Sequence, residues 1–214
     1  FKDTTNLETI TGLPVPGQNI KNINSFLENS TVSLDDSTTI FSGHLSNLES
    51  ADYAFKNAKN ITSLNTTWNI RDLISAVGMF HDATNLGRIE TSTWNLSKLE
   101  NASYMFSGLE NFDASQSLSS DFDLSSITDM SYMFYRCQSY TGTRFNKDLS
   151  RWNTSRVVNM SHMFGFAYFF NQNLNTKFKQ NLIKKYYFQG QYNFCNDHSY
   201  TKIKIFESIY IRSI

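Results

Sequence analysis

The 214-residue chain is 40% hydrophobic and 15% aromatic, enough apolar surface for a core, which excludes wholesale disorder. Two prolines and two cysteines exclude a collagen-like or disulfide-stapled chain. The formal charge is zero but unevenly placed: residues 176–214 hold seven Lys/Arg and two Asp/Glu and carry +5, leaving −5 on residues 1–175.

The opening "FKDTTNLETI" has neither an initiator Met nor a signal-peptide pattern, so the chain reads as a fragment or a processed form. "GLPVPG" at 12–17 is a turn signal. Residues 1–40 are expected to form an N-terminal cap or a divergent repeat, because stacked arrays need atypical ends to close their apolar faces.

A repeat then begins. Aligned on a closing Phe, the phrases are "LESADYAF" (48–55), "LISAVGMF" (73–80), "LENASYMF" (99–106), "ITDMSYMF" (127–134) and "VVNMSHMF" (157–164). The Phe-to-Phe steps are 25, 26, 28 and 30 residues. Seven residues before Phe stands Leu48, Leu73, Leu99, Ile127 or Val157; four before it stands Ala51, Ala76, Ala102, Met130 or Met160. Twelve before it stands Trp68, Trp94, Phe122 or Trp152, with Gly43 at that place in the first unit. The aromatic-to-Phe distance is 12 in all four units, while the return to the next aromatic takes 13, 14, 16 and 18 residues. A rigid block joined by elastic returns is what stacked units require.

Within a block, Trp94 and Leu96 alternate about Asn95, as in a short extended stretch with two inward side chains. Ser97 fits a helix N-cap, with Glu100 completing a capping box; Ser125 and Ser155 take the same place without the Glu. Leu99, Ala102, Met105 and Phe106 then form an apolar helical stripe of two turns. Each 25–30-residue unit is therefore expected to be a short strand, a turn, a short helix and a variable return, with short extended or 3₁₀ pieces the alternative to the helix, five units filling 41–175. So short a helix depends on its neighbours for stability. The Asn or Asp after the aromatic (Asn69, Asn95, Asp123, Asn153) is expected to form an Asx turn.

Residues 176–214 are a basic, aromatic C-terminal cap or divergent tail. "FKQNLIKKYYFQG" keeps Ile183 at the aliphatic position but has Gly190 where Phe should close the block. "TKIKIFESIYI" alternates like a strand, and packing on the array accounts for it more simply than nucleic-acid stacking by Tyr186, Tyr187, Tyr192 and Tyr200 beside Lys184 and Lys185.

"WNTSRVVNMSHMF", "FDLSSITDMSYMF" and the trailing "FFNQNLN" (169–175) closely resemble the BspA-like, leucine-rich-repeat-related bacterial surface-protein repeat of about 26 residues found in mycoplasma and Listeria surface proteins. The resemblance covers roughly 41–175, and unit two departs from it with Arg71 at the cap and Gly78 where Tyr is common. It implies a leucine-rich-repeat-like solenoid at the cell surface or outside the cell, with adhesion or host-protein binding as its role. A lipoprotein or other anchor would lie outside this chain.

Chemistry-bearing clusters are sparse. Cys137 stands where other units have Ala58, Ala83, Leu109 and Ala167, and reads as a small buried core thiol. Cys195 with His198 is too small a set for zinc. His44, His81 and His162 lie within or beside blocks, His162 in register with Tyr104 and Tyr132. Asp121 and Asp123 flank core Phe122 and should face solvent, while Asp35–Asp36 lie in a polar turn without the further oxygen ligands calcium needs. N-x-S/T sequons occur at Asn29, Asn60, Asn65, Asn95, Asn101, Asn153 and Asn159 in a chain rich in these residues. No G-x-S-x-G, phosphate-cradling glycine loop or H-E-x-x-H is present.

The chain is thus expected to be no enzyme, with no catalytic, cofactor-binding or metal-binding residues, no cofactor and no nucleic-acid partner. No run approaches the ~18 apolar residues of a membrane helix; the longest candidate is "MFGFAYFF" at 163–170. An adhesin-like scaffold would bind a host or matrix protein through returns 56–67, 81–93, 107–121 and 135–151, its contact residues unassigned. The competing readings are a carbohydrate-binding module using Tyr140 and Tyr168, and a structural stalk.

Overall fold

The computed structural model describes residues 1–5, 10, 19–35, 40–41, 45–64, 68–137, 145–167, 170 and 172. A two-turn helix in the repeated block would consume its N–H groups internally and offer few to a neighbour. The chain divides them instead. In the block around Phe106, the amides of Met105 and Ser107 close turns onto the carbonyls of Ala102 and Tyr104 at 3.2 and 3.1 Å. The intervening amides of Ala102, Tyr104, Phe106 and Gly108 donate to Asp129, Ser131, Met133 and Tyr135 of the next block at 2.9, 2.9, 3.0 and 2.8 Å. This alternation links six blocks, rungs 1 to 6: residues 20–30, 48–58, 73–83, 99–109, 127–137 and 157–167.

The helix expected over 99–106 and its counterparts is therefore a string of turns, among the described residues. The turns place the same side chains inward, at Leu99, Ala102, Met105 and Phe106, so the apolar spacing alone did not distinguish them. The Ser97–Glu100 capping box is also corrected, because the Glu100 amide donates to the Ile74 carbonyl of the previous rung at 2.9 Å. The only helix among the described residues is α1 (Ala114–Ser117), which lies in a return.

Parallel bridges mark the stack: Asn22–Ser50–Ser75–Asn101–Asp129–Asn159. Rung 1 lies in the segment read as a cap or divergent repeat, with Leu27 in the Phe position, and so hides from an alignment on Phe. Further still, the Asp3 amide donates to Glu28 at 2.8 Å. A second ladder runs through the returns, from the Leu34–Ile61 bridge to the parallel pair β1 (Ser63–Leu64) and β2 (Arg88–Ile89). Asn60, Asn85 and Asn111 each donate a side-chain N–H to the return before, reaching the carbonyls of Thr31, Lys59 and Thr84 at 2.6, 2.7 and 3.1 Å.

The core lies between the two ladders. Its spine is the Phe column, with Phe55–Phe80, Phe80–Phe106, Phe106–Phe134 and Phe134–Phe164 centroids at 5.5, 5.8, 5.6 and 5.9 Å, all within 12° of parallel. Beside it Trp68 stacks on Trp94 at 6.1 Å, and Phe41 packs on Trp68, an aromatic contact two residues before the expected Gly43 place, which itself lies outside the described residues. The Trp68 and Trp152 indole N–H groups donate to the carbonyls of Ile40 and Ser119 at 2.7 and 3.2 Å. Cys137 is buried in the small-residue column, and burial pushes its thiol pKa up.

Two stability predictions arise here. Gly108 sits at φ +73°, and a Cβ there would overlap the Asp82 carboxylate. Gly108→Ala should therefore lower stability by about 1–3 kcal/mol, read as a lower urea midpoint with an unchanged m-value. Glu28 is 7% exposed, with Lys2 and Lys56 at 2.9 and 3.3 Å. A hydrogen bond from Ser25, outweighing burial, and then the two lysines hold its carboxyl down to about 2. The folded value lies below the unfolded one (about 4.3), so this stabilisation is complete above the unfolded pKa and fades as pH falls from about 4 towards 2. Glu28→Gln should remove that part of the acid dependence, measured by urea midpoints across the acid range.

Candidate functional site

The outward position two residues before Phe carries Ser25, Tyr53, Gly78, Tyr104, Tyr132 and His162 in rungs 1 to 6. All six have positive φ, between 54° and 59°, as the third residue of a type II turn does. Glycine or asparagine suits that place; a bulky side chain there costs of order 1–3 kcal/mol. Three aromatic rings nonetheless stand there in succession. Tyr104 and Tyr132 stack at 4.5 Å and 4°, and His162 continues at 4.8 Å and 26°.

Neighbouring positions widen the strip. His81 meets Tyr104 edge-on at 5.6 Å, Tyr135 meets Tyr132 at 5.3 Å, and Phe166 meets Tyr135 at 5.3 Å. Gly78 interrupts the column for a steric reason: a Cβ there would come within 2.8 Å of the Tyr53 ring, which lies across the gap. The Tyr135 ring likewise lies over Gly165, within 2.7 Å of where a Cβ would stand. Lys56 sits 5.1 Å from the Tyr53 centroid. Tyr53 and Phe166 are 38% and 37% exposed. The result is a surface of ring edges and hydroxyls across rungs 2 to 6. Partial burial, then the neighbouring Tyr132 and Tyr53, push the Tyr104 phenol above its ordinary pKa.

Asn and Asp side chains set the turns behind the strip. Asn101, Asp129 and Asn159 accept the backbone N–H of Ser103, Ser131 and Ser161 at 2.9, 2.8 and 3.1 Å. Asn95, Asp123 and Asn153 do the same for Ser97, Ser125 and Ser155 at 3.0, 3.0 and 3.1 Å, the Asx turns read from sequence, whereas Asn69 accepts from the Arg71 side chain at 3.0 Å. The N-x-S sequons at Asn95, Asn101, Asn153 and Asn159 thus have a structural origin: the Asn oxygen takes the amide of the Ser two residues on.

Asp121 and Asp123 are exposed on either side of buried Phe122, with Asp121 2.8 Å from Arg151. Among the described residues no three His, Cys, Asp or Glu side chains converge as a metal site, and no helix is long and apolar enough to cross a membrane. Gly43, His44, Asp36, Asn65, Tyr140, Tyr168, Cys195, His198 and all of 176–214 lie outside the described residues.

The returns expected at 81–93 and 135–151 overlap the ends of rungs 3 and 5, which hold His81 and Tyr135 of the strip; beyond the rungs, return residues bury Leu86, Ile89, Phe112 and Leu118 and contribute to the second ladder. Tyr104, Tyr132 and His162 belong to the constant block. Their shared register was legible in the sequence; their outward, ring-on-ring placement was not, because the expected helix gave no reason for one face to carry positive φ.

A family model described as a Mycoplasma protein of unknown function, DUF285, matches residues 21–143 and 88–201. The two matches overlap over 88–143, as happens when a repeating pattern aligns in more than one register. No curated protein and no solved structure matches.

Proposed function

Because the chain belongs to the Mycoplasma family DUF285, we propose that it is a BspA-like, leucine-rich-repeat-related solenoid serving as a non-enzymatic interaction scaffold at the cell surface or outside the cell. It binds a host or matrix protein in an adhesin-like manner. The observation that supports this reading most is the aromatic strip, where costly positive-φ positions keep Tyr104, Tyr132 and His162 on the outside. An observed backbone outlier repeated along one face points to use of that face. Tyrosine supplies large contact area at low entropic cost, and affinity over such a surface sums from a few anchors.

The geometry favours protein over sugar. A pyranose stacks on an open ring face, and the faces between Tyr104, Tyr132 and His162 are covered by one another. Edges and hydroxyls remain, suited to hydrogen bonding with a polypeptide backbone. The test is binding of the whole chain to panels of matrix proteins, host-cell surfaces and glycans. The triple variant Tyr104→Asn, Tyr132→Asn, His162→Asn keeps residues that tolerate positive φ and should lose about tenfold or more in affinity, with unchanged circular dichroism. Undiminished binding by that variant, or binding to glycans alone, would overturn the proposal.

A further inference from the structure

We propose that Tyr104 and Tyr132 form an oxidative modification site, poised for a dityrosine bond that would staple rung 4 to rung 5. The two rings leave equivalent positions of adjacent rungs with φ of 59° and 56° and stack at 4.5 Å and 4°. Leaving the same place in adjacent rungs with the same backbone sense, the two rings lie face to face. Both residues are part-exposed, within reach of a small oxidant or a radical relay.

The reaction needs an oxidant, and a peroxide used by a haem peroxidase supplies it. Each phenol gives up one electron and one proton, leaving a phenoxyl radical whose unpaired spin is shared with the carbons ortho to oxygen. Two such carbons, one per ring, join in a C–C bond. The hydrogens they carried move to the oxygens and restore both phenols. Overall two hydrogen atoms leave the protein, and one hydrogen peroxide becomes two waters.

Among the described residues the other pairs are placed less well. Tyr135 meets Tyr132 edge-on, at 64° and 5.3 Å, and Tyr53 is two rungs from Tyr104 with Gly78 between. The opposite face of Tyr132 is taken by His162. Orientation, not tyrosine content, sets the outcome, and it raises the local concentration of one partner far above the rest.

The test treats the dilute whole chain with hydrogen peroxide and a haem peroxidase. Trypsin releases Tyr104 and Tyr132 together, since no Lys or Arg lies between Leu99 and Arg136, so this peptide should appear lighter by two hydrogens. Cleavage at acidic residues then separates the Tyr104 fragment, ending at Glu110, from the one beginning after Asp129, and the two should remain joined. Intramolecular Tyr104–Tyr132 links should outnumber any other tyrosine pair by about tenfold. Tyr135→Phe should leave the link intact; Tyr104→Phe and Tyr132→Phe, which keep the ring stack, should each abolish it. Linkage through Tyr135, links only between molecules, or tyrosine oxidation with no link would each overturn the proposal.

Discussion

Truncating Phe106 to alanine should cost about 3–5 kcal/mol, roughly a fifth or more of the stability of an ordinary domain. Phe106 is 1% exposed and touches Phe80, Phe134 and Phe112 at centroid distances of 5.8, 5.6 and 5.4 Å. Its removal leaves a cavity that rungs 3 and 5 cannot close, because the backbone bonds of Phe80 and Phe106 to Met105 and Met133, both at 3.0 Å, fix the spacing between rungs. In a stack where each rung meets only its neighbours, loss of a central interface also uncouples the two ends. Urea unfolding followed by circular dichroism and tryptophan fluorescence should then change from one coincident transition to two. Phe106→Leu is the milder control, expected to cost less than about 1.5 kcal/mol, since Leu27 occupies this position in rung 1. Val158→Ala, at a residue 64% exposed, should stay within about 0.5 kcal/mol. Equal losses for Phe106→Ala and Val158→Ala would contradict the Phe column as the spine of the core.

Leu99, Ala102 and Phe106 show how the sequence exposes inward positions while concealing backbone shape. Their spacing fits a two-turn helix and a string of turns equally well, because both bring those side chains to one side. What separates the two is where the amides go, and that depends on the next rung, 27 residues on for Phe106 and Met133. The Asx turns at Asn95 and Asn153 were legible because their bond spans two residues. The bridging column from Asn22 to Asn159 was not, since Ser50 and Ser75 interrupt its Asn/Asp character. Rung 1 is hidden for another reason: Leu27 stands in the Phe place, so an alignment on Phe passes over it. The strip is not legible in sequence, because Tyr104 and Tyr132 lie in separate turns and become a stacked pair only through the register of the rungs.

One residue inserted inside a block should do more damage than several inserted in a return. Placing Ala between Glu100 and Asn101 inverts the alternation of rung 4. Amides that face rung 5, from Ala102, Tyr104 and Phe106, would exchange roles with those that close its turns, from Met105 and Ser107. Acceptors for rung 3 would shift as well, because Asn101, Ser103 and Met105 take the amides of Ala76, Gly78 and Phe80. The added residue also lengthens the span from Leu99 to Phe106, so the two could no longer both reach the core. Unsatisfied buried amides each cost about 1–3 kcal/mol, and a few of them exceed the whole stability of a domain. The variant should therefore lose cooperative unfolding and expose hydrophobic surface to a dye such as ANS. Placing two Gly residues between Ser139 and Tyr140 instead only lengthens the longest return, at a cost of under about 1 kcal/mol from loop closure. The returns already vary from 13 to 18 residues while the block stays at 12. That contrast is the physical content of the repeat: the block length is set by alternate amides that must meet the next rung, while the returns accommodate added residues between the positions that pack and pair. A block insertion that unfolded as cooperatively as the return insertion would show that alternation is not what holds the rungs together.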